Sequence, residues 1–365
     1  MDTSASDITF DLDGRCWYCT ELIQRLARSH WPSAESREAA RRDLLAAVAR
    51  DGRGKEYDCI VGVSGGVDSS WVLVDAVRAG LRPLAVHMDN GWDSELAQSN
   101  IASLVRGLDV DLYTYVIDWD EYRSLMLAFF DADVIDIELL YDNALAAVNF
   151  QQARAYGLHY ILSGQNLATE GMLIPRQWNW LKMDRRNIEA IRRAYDGGGL
   201  KSFPAIGSLS YAWHMAVRGI RWIPYPDYLE YERSTVLNTL TSEFGYRPYR
   251  NKHYESVFTR LYMSYILPVK FDVDMRRVDY SNLIVSGQMT REEALSRLAE
   301  PAYGTDQDLA VDIEYFRKKI GWSEADWRAY LARPPVPHRA FASEFSTYHL
   351  LQWLRHRIPR RFAGH

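Results

Sequence analysis

Cysteine is scarce in this chain: three in 365 residues, Cys16, Cys19 and Cys59. Three thiols cannot build the disulfide framework of a secreted domain, and their scarcity points to a reducing compartment. Apolar runs are short, far below the roughly 18 residues that cross a bilayer. The opening stretch MDTSASDITFDLDGR has neither the basic region nor the apolar run of a secretory leader. A cytoplasmic protein without a membrane span is therefore expected. Positive charge is not in surplus either, with 43 Lys and Arg against 48 Asp and Glu and a net charge of −5. Long nucleic acids bind basic surfaces by releasing counterions, so they are not the expected partner. Internal repeats and low-complexity tracts are missing too. With 47% hydrophobic and 25% charged residues, the composition is that of an ordinary globular protein, long enough for more than one lobe.

What is present divides into three parts. Residues 1–50 read as an extension carrying Cys16-x-x-Cys19, followed by two helices broken at Pro32-Ser33, with Leu22, Ile23, Leu26, Ala39, Leu44, Leu45 and Val48 at helical spacing. Residues 51–175 alternate strand and helix. Strands are predicted at 59–63, 84–88, 112–117 and 159–163, and helices at 67–79, 96–108, 119–130 and 138–156. That alternation predicts a doubly wound parallel α/β sheet covered on both faces. Residues 176–365 are rich in Trp, Tyr and Arg and predict a mostly helical lobe, with helix starts at Thr290 and Ser323, hydroxyls followed by acids.

The most informative segment is DCIVGVSGGVDSS, residues 58–70. A buried strand runs into Ser64-Gly65-Gly66-Val67-Asp68-Ser69 and straight on into a helix. Paired glycines let the backbone turn sharply and approach a ligand. The free N–H groups of the next helix, with its dipole, attract phosphate. Neither the Gly-Lys-Ser/Thr loop of ATPases nor the GxGxxG dinucleotide fingerprint is matched.

SGGVDS between a strand and a helix resembles the pyrophosphate loop of the ATP pyrophosphatases, the PP-loop group. The resemblance implies a Rossmann-like fold and ATP cleaved between its α- and β-phosphates. Ser64, Gly65, Gly66, Val67, Asp68 and Ser69 would hold the phosphates. Asp89, at the end of LAVHMDN, would lie near the adenosine, and SGQNLATEG (163–171) would add Gly164, Asn166 and Glu170. Asp68 and Glu170 are the expected Mg²⁺ ligands, since Mg²⁺ takes oxygen donors and neutralises the departing pyrophosphate.

Within that group, NKHYESVFTRLYMSYILPVKFDVDMRRVDYSNLIVSGQMTREEAL (251–295) is similar to the bacterial N-acetyl sugar amidotransferases. With ITFDLDGRCWYC and the loop, the likeness extends over about residues 8–300. It implies conversion of an acetamido group on a nucleotide-linked or free sugar to an acetamidino group, for surface polysaccharide, LPS O-antigen or nonulosonate synthesis. The chemistry is coherent. An amide oxygen is a poor leaving group, and adenylating it gives an imidate from which ammonia displaces AMP. The demand on the protein is positioning and charge stabilisation, and the resemblance implies Ser64, Asp68, Lys252 and Lys270 as the catalytic set. His253, Arg276 and Arg277 are expected on a substrate carboxylate or phosphate. Trp178, Trp180, Trp213 and Trp222 are candidates to stack on a sugar or base, with helix packing the simpler role, and Arg355, Arg357, Arg360 and Arg361 form a basic tail.

No glutaminase cysteine is available, so the resemblance implies a separate glutaminase subunit and a cyclase-like partner that delivers ammonia. Relatives carry a second upstream cysteine pair. Here Cys16 and Cys19 stand alone, leaving zinc as one reading and two free thiols as the other. Two rival functions remain open: a PP-loop sulfurtransferase acting on a nucleobase, and a non-catalytic nucleotide-binding protein.

Overall fold

The computed structural model describes residues 1–29, 31, 33–249 and 254–357. Its first two helices are α1 (Trp17–Ser29) and α2 (Ala34–Asp51), and Ser33 begins α2 with a reciprocal capping box to Ser36. Pro32, at the expected break, lies outside the described residues. The α/β unit then runs β1 (Cys59–Gly62), α3 (Val67–Arg78), β2 (Pro83–Asp89), α4 (Glu95–Leu108), β3 (Leu112–Val116), α5 (Trp119–Asp131), α6 (Leu139–Ala155) and β4 (Tyr160–Ser163). Each predicted strand and helix of this unit is present to within a residue or two.

The sheet order is β3-β2-β1-β4-β5, and every pairing is parallel. The expected doubly wound α/β architecture is therefore the one observed. The fifth strand, β5 (Arg221–Pro224), pairs with β4 from within the stretch read as helical. Its sequence, RWIP, is too short to show a period. Only the neighbouring strand makes it extended.

Alternation along the strands sorts side chains to two cores. Cys59 and Val61 of β1, Ala85 of β2, and Tyr160 and Leu162 of β4 face one cluster, with Val72, Leu73 and Ala76 of α3 and Ile101 and Leu104 of α4. Ile60, Leu84, Val86, Met88 and Ile161 face the other, with Leu125, Phe129 and Phe130 of α5 and Ala144, Ala147 and Val148 of α6. The C-terminal helices join this second core through Phe258, Leu261, Ile266, Phe316, Trp327 and Tyr330. Trp92, just past β2 and fully buried, packs its ring against Phe258, Phe316 and Trp119. The helix starts at Thr290 and Ser323 form as expected, each hydroxyl accepting from the backbone three residues on. Among the described residues no helix is long and apolar enough to cross a membrane.

Candidate functional site

A cavity of about 760 Å³ opens at the carboxyl edge of β1 and β4, where open parallel sheets place their ligands. One end is the phosphate loop. Ser64, Gly66, Val67, Asp68 and Ser69 all line it. Gly65 turns behind them at φ +80°, where an added Cβ would stand 2.9 Å from the Ala97 carbonyl. Its own carbonyl oxygen accepts from the hydroxyls of Tyr246 (3.0 Å) and Tyr249 (3.2 Å). Gly66 starts α3 without a side-chain cap, so the first turn presents its N–H groups to the cavity. Ser69 Oγ accepts from Ser64 N–H and lies 3.3 Å from Ser64 Oγ. Gly164, at the end of β4, comes so close that a Cβ there would sit 2.7 Å from Ser69 N.

Asp68 of the loop and Glu170 beyond β4 are both in the cavity wall. Asp68 accepts from the Tyr231 hydroxyl. Burial and the Asp68 charge raise the Tyr231 phenol well above its ordinary value. Beneath the loop, His87 makes two contacts of 2.9 Å, Nδ1 to the Val63 carbonyl and Nε2 to an Asp93 carboxylate oxygen. Both neighbours are acceptors, an arrangement that favours the protonated imidazole. Burial alone would lower its pKa, and Asp93 reverses that to a net rise.

Other sequence candidates fall elsewhere. Asp89 forms a turn, accepting from Gly91 N–H at 2.7 Å, and borders a smaller cavity with Trp119 and Lys319. Asn166 caps the short helix Leu167–Glu170, accepting from Thr169 N–H at 2.8 Å, and does not line the main cavity. Lys270 corrects its catalytic assignment. Its ammonium is fully buried, 2.9 Å from Asp133, and donates to the carbonyls of Tyr330 (2.6 Å) and Arg333 (2.8 Å). It pins helix Leu267–Phe271 to α5's end, away from the cavity wall. Arg276 is likewise occupied, by Asp274 and the carbonyls of Arg297 and Glu300, and Arg277 pairs with Asp2. Lys252, His253, Arg360, Arg361 and the side chains of Arg355 and Arg357 lie outside the described residues. Trp178 and Trp222 line the cavity, whereas Trp180 stacks on His338 and Trp213 is exposed.

Zinc does not fit Cys16 and Cys19. Their sulfurs are 3.4 Å apart with Cys16 buried, and no cluster of three His, Cys, Asp or Glu forms among the described residues. Burial, then the Cys16 contact, pushes the Cys19 thiol up to about 11, disfavouring the thiolate a metal needs.

The other end of the cavity was not anticipated. Lys182 is shared between Asp136 (2.8 Å) and Asp142 (2.9 Å). Beside them Glu138 accepts from Thr259 Oγ1 at 3.1 Å. Burial, reinforced by the Asp142 charge, pushes Glu138 up to about 8. Asn149 lines the cavity beside Gly62. A signal existed: in the largely apolar stretch ELLYDNALAAVNF, Glu138, Asp142 and Asn149 recur at the period of one helix face, with Asn143 the one further amide, off that face.

The cavity's roof comes from the segment Glu255–Thr259. Ser94 N–H donates to the Glu255 carbonyl (2.8 Å), and Val257 N–H to the Trp92 carbonyl (2.9 Å). These bonds lay the C-terminal lobe over the loop, with the Glu255 carboxylate 2.5 Å from where a Gly66 Cβ would be.

Class and kin follow from this arrangement. The protein is a parallel α/β protein with a glycine-rich strand-to-helix loop at one end of a cavity that a helical lobe roofs. Residues 255–355, the roof and the helices behind it, match the family model of the LPS biosynthesis protein WbpG-like, C-terminal domain. That match covers the C-terminal segment alone and agrees there with the expected likeness to surface-polysaccharide enzymes. Among solved structures the chain is similar to NMN synthetase from Francisella tularensis, at 12% identity and TM-score 0.40 over 76% of this chain and 96% of that one. It is also similar to the NH3-dependent NAD synthetase from Campylobacter jejuni, at 11% identity and TM-score 0.30 over 60% and 100% of the two chains. The glutamine-dependent NAD+ synthetase from Acinetobacter baumannii, solved with ADP, gives 15% identity and TM-score 0.33 over 82% of this chain and 50% of that one. No curated protein matches the chain.

Proposed function

We propose that this protein is an ATP-dependent, AMP-forming amidotransferase that converts the acetamido group of an N-acetyl sugar to an acetamidino group during surface-polysaccharide synthesis. The observation that carries the reading is that one cavity is walled both by the phosphate loop, Ser64 to Ser69, and by Glu255, Ser256 and Thr259 of the WbpG-like segment. A volume of about 760 Å³ is near the upper part of the roughly 300–1,000 Å³ range of small-molecule sites. It suits two ligands better than one.

The uncapped start of α3 and the hydroxyls of Ser64 and Ser69 would hold the β- and γ-phosphates, leaving the α-phosphate facing the cavity. The acceptor's amide oxygen would attack there from the second lobe's side. Holding the two reactants in line is where most of the acceleration arises, since no side-chain nucleophile is needed. Asp68 and Glu170 fit Mg²⁺ only as partial ligands, because no group of three acids placed to hold a metal forms among the described residues and this ion keeps water and phosphate oxygens. Bound there, Mg²⁺ would neutralise charge building on the pyrophosphate.

The nitrogen would come from a separate glutaminase subunit through a cyclase-like partner. Cys59 sits within the β1 core facing α3, and Cys16 and Cys19 do not line the cavity, so a persulfide for the sulfur-transfer alternative has no support here.

The test is mass spectrometry of products from ATP, Mg²⁺, ammonium and a panel of free and nucleotide-linked N-acetyl sugars. AMP with a sugar lighter by about one dalton is expected. ADP as product, or AMP with no modified sugar across the panel, overturns the reading.

A further inference from the structure

One face of α6 lies along the cavity from end to end. Glu138, Tyr141, Asp142, Leu145, Ala146 and Asn149 all border it, at steps of three and four that share one helix face. At 1.5 Å per residue the stripe is roughly 16 Å long, running from the acidic end to the end of β1.

Its polar atoms are nearly all acceptors. Asn149 is 1% exposed and donates its Nδ2 to the Leu145 carbonyl at 2.8 Å, while its Oδ1 has no partner among the described residues. Gly62 leaves open the space before that oxygen, a Cβ there falling 3.3 Å from it. A buried acceptor left unmet costs roughly 1–3 kcal/mol, so a ligand donor is called for. Phosphate oxygens, acceptors themselves, cannot supply one.

At the far end two carboxylates, Asp136 and Asp142, share one ammonium, Lys182, and a third carboxyl group, Glu138, lies beside them. That ammonium is committed to Asp136 and Asp142. No Lys or Arg nitrogen among the described residues comes within 4.0 Å of Glu138, whose other neighbours are Thr259 and the phenols of Tyr122, Tyr141 and Tyr262. When Glu138 ionises beside Asp142, a small cation stabilises the added negative charge. An unmet acceptor at Asn149 and, at the other end, a carboxyl group with no Lys or Arg partner among the described residues match a small ligand made wholly of donors.

Resting on the amidotransferase reading, we propose that the α6 face is the ammonia side of the reaction. Ammonium docks at Glu138 and transfers one proton to its ionised carboxylate. The ammonia so formed passes along the stripe and meets Asn149 Oδ1 beside the adenylated carbon. There the new C–N bond forms and the C–O bond to the adenylyl phosphate breaks, AMP leaving with the electron pair. All three ammonia protons stay on the product amidinium. The amide N–H proton has already gone to water at adenylation, and Glu138 returns its own to water.

The experiment separates the two half-reactions with an acceptor sugar from the panel. ATP–pyrophosphate exchange without ammonia reads adenylation, and amidine formation from ammonium chloride reads the second step. For Glu138→Gln, exchange is expected within twofold of wild type and amidine formation lower by tenfold or more. Only ionised Glu138 accepts a proton from ammonium, whereas the variant depends on free ammonia, so wild-type amidine formation should level off above about pH 8 while the variant's keeps rising and the wild-type advantage shrinks. Glu138→Asp should restore part of the rate and the pH dependence, and Asn149→Leu should raise the KM for ammonium about tenfold with exchange unchanged. Equal loss in both half-reactions, or amidine formation with the wild-type pH profile in Glu138→Gln, overturns the inference. A wild-type protein giving no exchange with any N-acetyl sugar sinks the amidotransferase reading itself.

Discussion

The two ends of the cavity reach function by different physics. The phosphate end is made of backbone: uncapped N–H groups, a glycine at φ +80° and two small hydroxyls. Its partners are close in sequence, so six consecutive residues suffice to announce it. The acidic end is made of side chains from α5's exit, α6, the loop bearing Lys182, and Thr259, brought together across 124 positions from Asp136 to residue 259 (259 minus 136, plus one). A backbone site survives many side-chain changes but tolerates no Cβ. A side-chain site tolerates backbone variety but depends on every charge being matched.

The sharpest way to break that contrast is to add one Cβ at the backbone end. Gly66→Val places carbon where the phosphates approach and against the Glu255 carboxylate, 2.5 Å from the first new atom. ATP–pyrophosphate exchange should fall by about 10²-fold or more, the scale of losing fixed donors to a developing charge. Thermal unfolding should move little, since the φ of −78° at Gly66 suits any residue. Exchange surviving above a tenth of wild type would mean that the loop is not where phosphate binds.

Lys270 tests the same contrast from the opposite direction, as a charged group with no ligand. Lys270→Met leaves Asp133 and two carbonyls without their buried cation, though Arg333 still reaches Asp133 at 2.9 Å. Breaking one partner of a buried pair costs about 3–5 kcal/mol, to be read from urea unfolding. Exchange per folded molecule should stay within twofold. A catalytic lysine would give the reverse, with stability kept and turnover lost.

These cases show what the sequence made legible. The sheet, its helices and the loop follow from periods and turns of a few residues, which is why their boundaries agree within a residue or two. Strand β5 and the acidic end were hidden because their identity is set by neighbours distant in the chain. Lys270 and Arg276 illustrate a further limit. A charge in a family-like stretch reads the same whether it faces a ligand or a buried Asp133 or Asp274. Asn149 was legible in principle, as a polar residue on the buried face of an apolar helix.

Protonation should distinguish the ends less strongly than mutation, and in a fixed direction. His338 is 2% exposed and braces the acidic end, its Nε2 accepting from Asp136 N–H at 3.2 Å and its Nδ1 donating to Asn187 at 2.8 Å. That arrangement needs a neutral ring, and burial lowers its pKa to about 3. A depressed histidine contributes stability that is complete above its unfolded value, about 6.5, and lost as pH falls toward the folded value. Each unit below 6.5 should cost up to about 1.4 kcal/mol, and His338→Gln should flatten that slope in urea titrations at pH 7, 6 and 5. A slope unchanged in the variant would place the acid sensitivity elsewhere.

The smallest effect expected is at Asp89, and its smallness is the point. The resemblance put this acid near the adenosine, where loss of its charge would weaken ATP use. In the structure its carboxylate accepts from Gly91 N–H at 2.7 Å and holds the turn after β2, outside the main cavity. Asparagine forms the same turn through its side-chain oxygen, so Asp89→Asn should leave the KM for ATP and the exchange rate within twofold. A tenfold rise in KM would move the adenosine to the β2 end and enlarge the backbone-built half of the site. An unchanged KM would keep the charge-dependent part of ATP binding within the main cavity, whose wall at the loop includes Asp68 and Glu170.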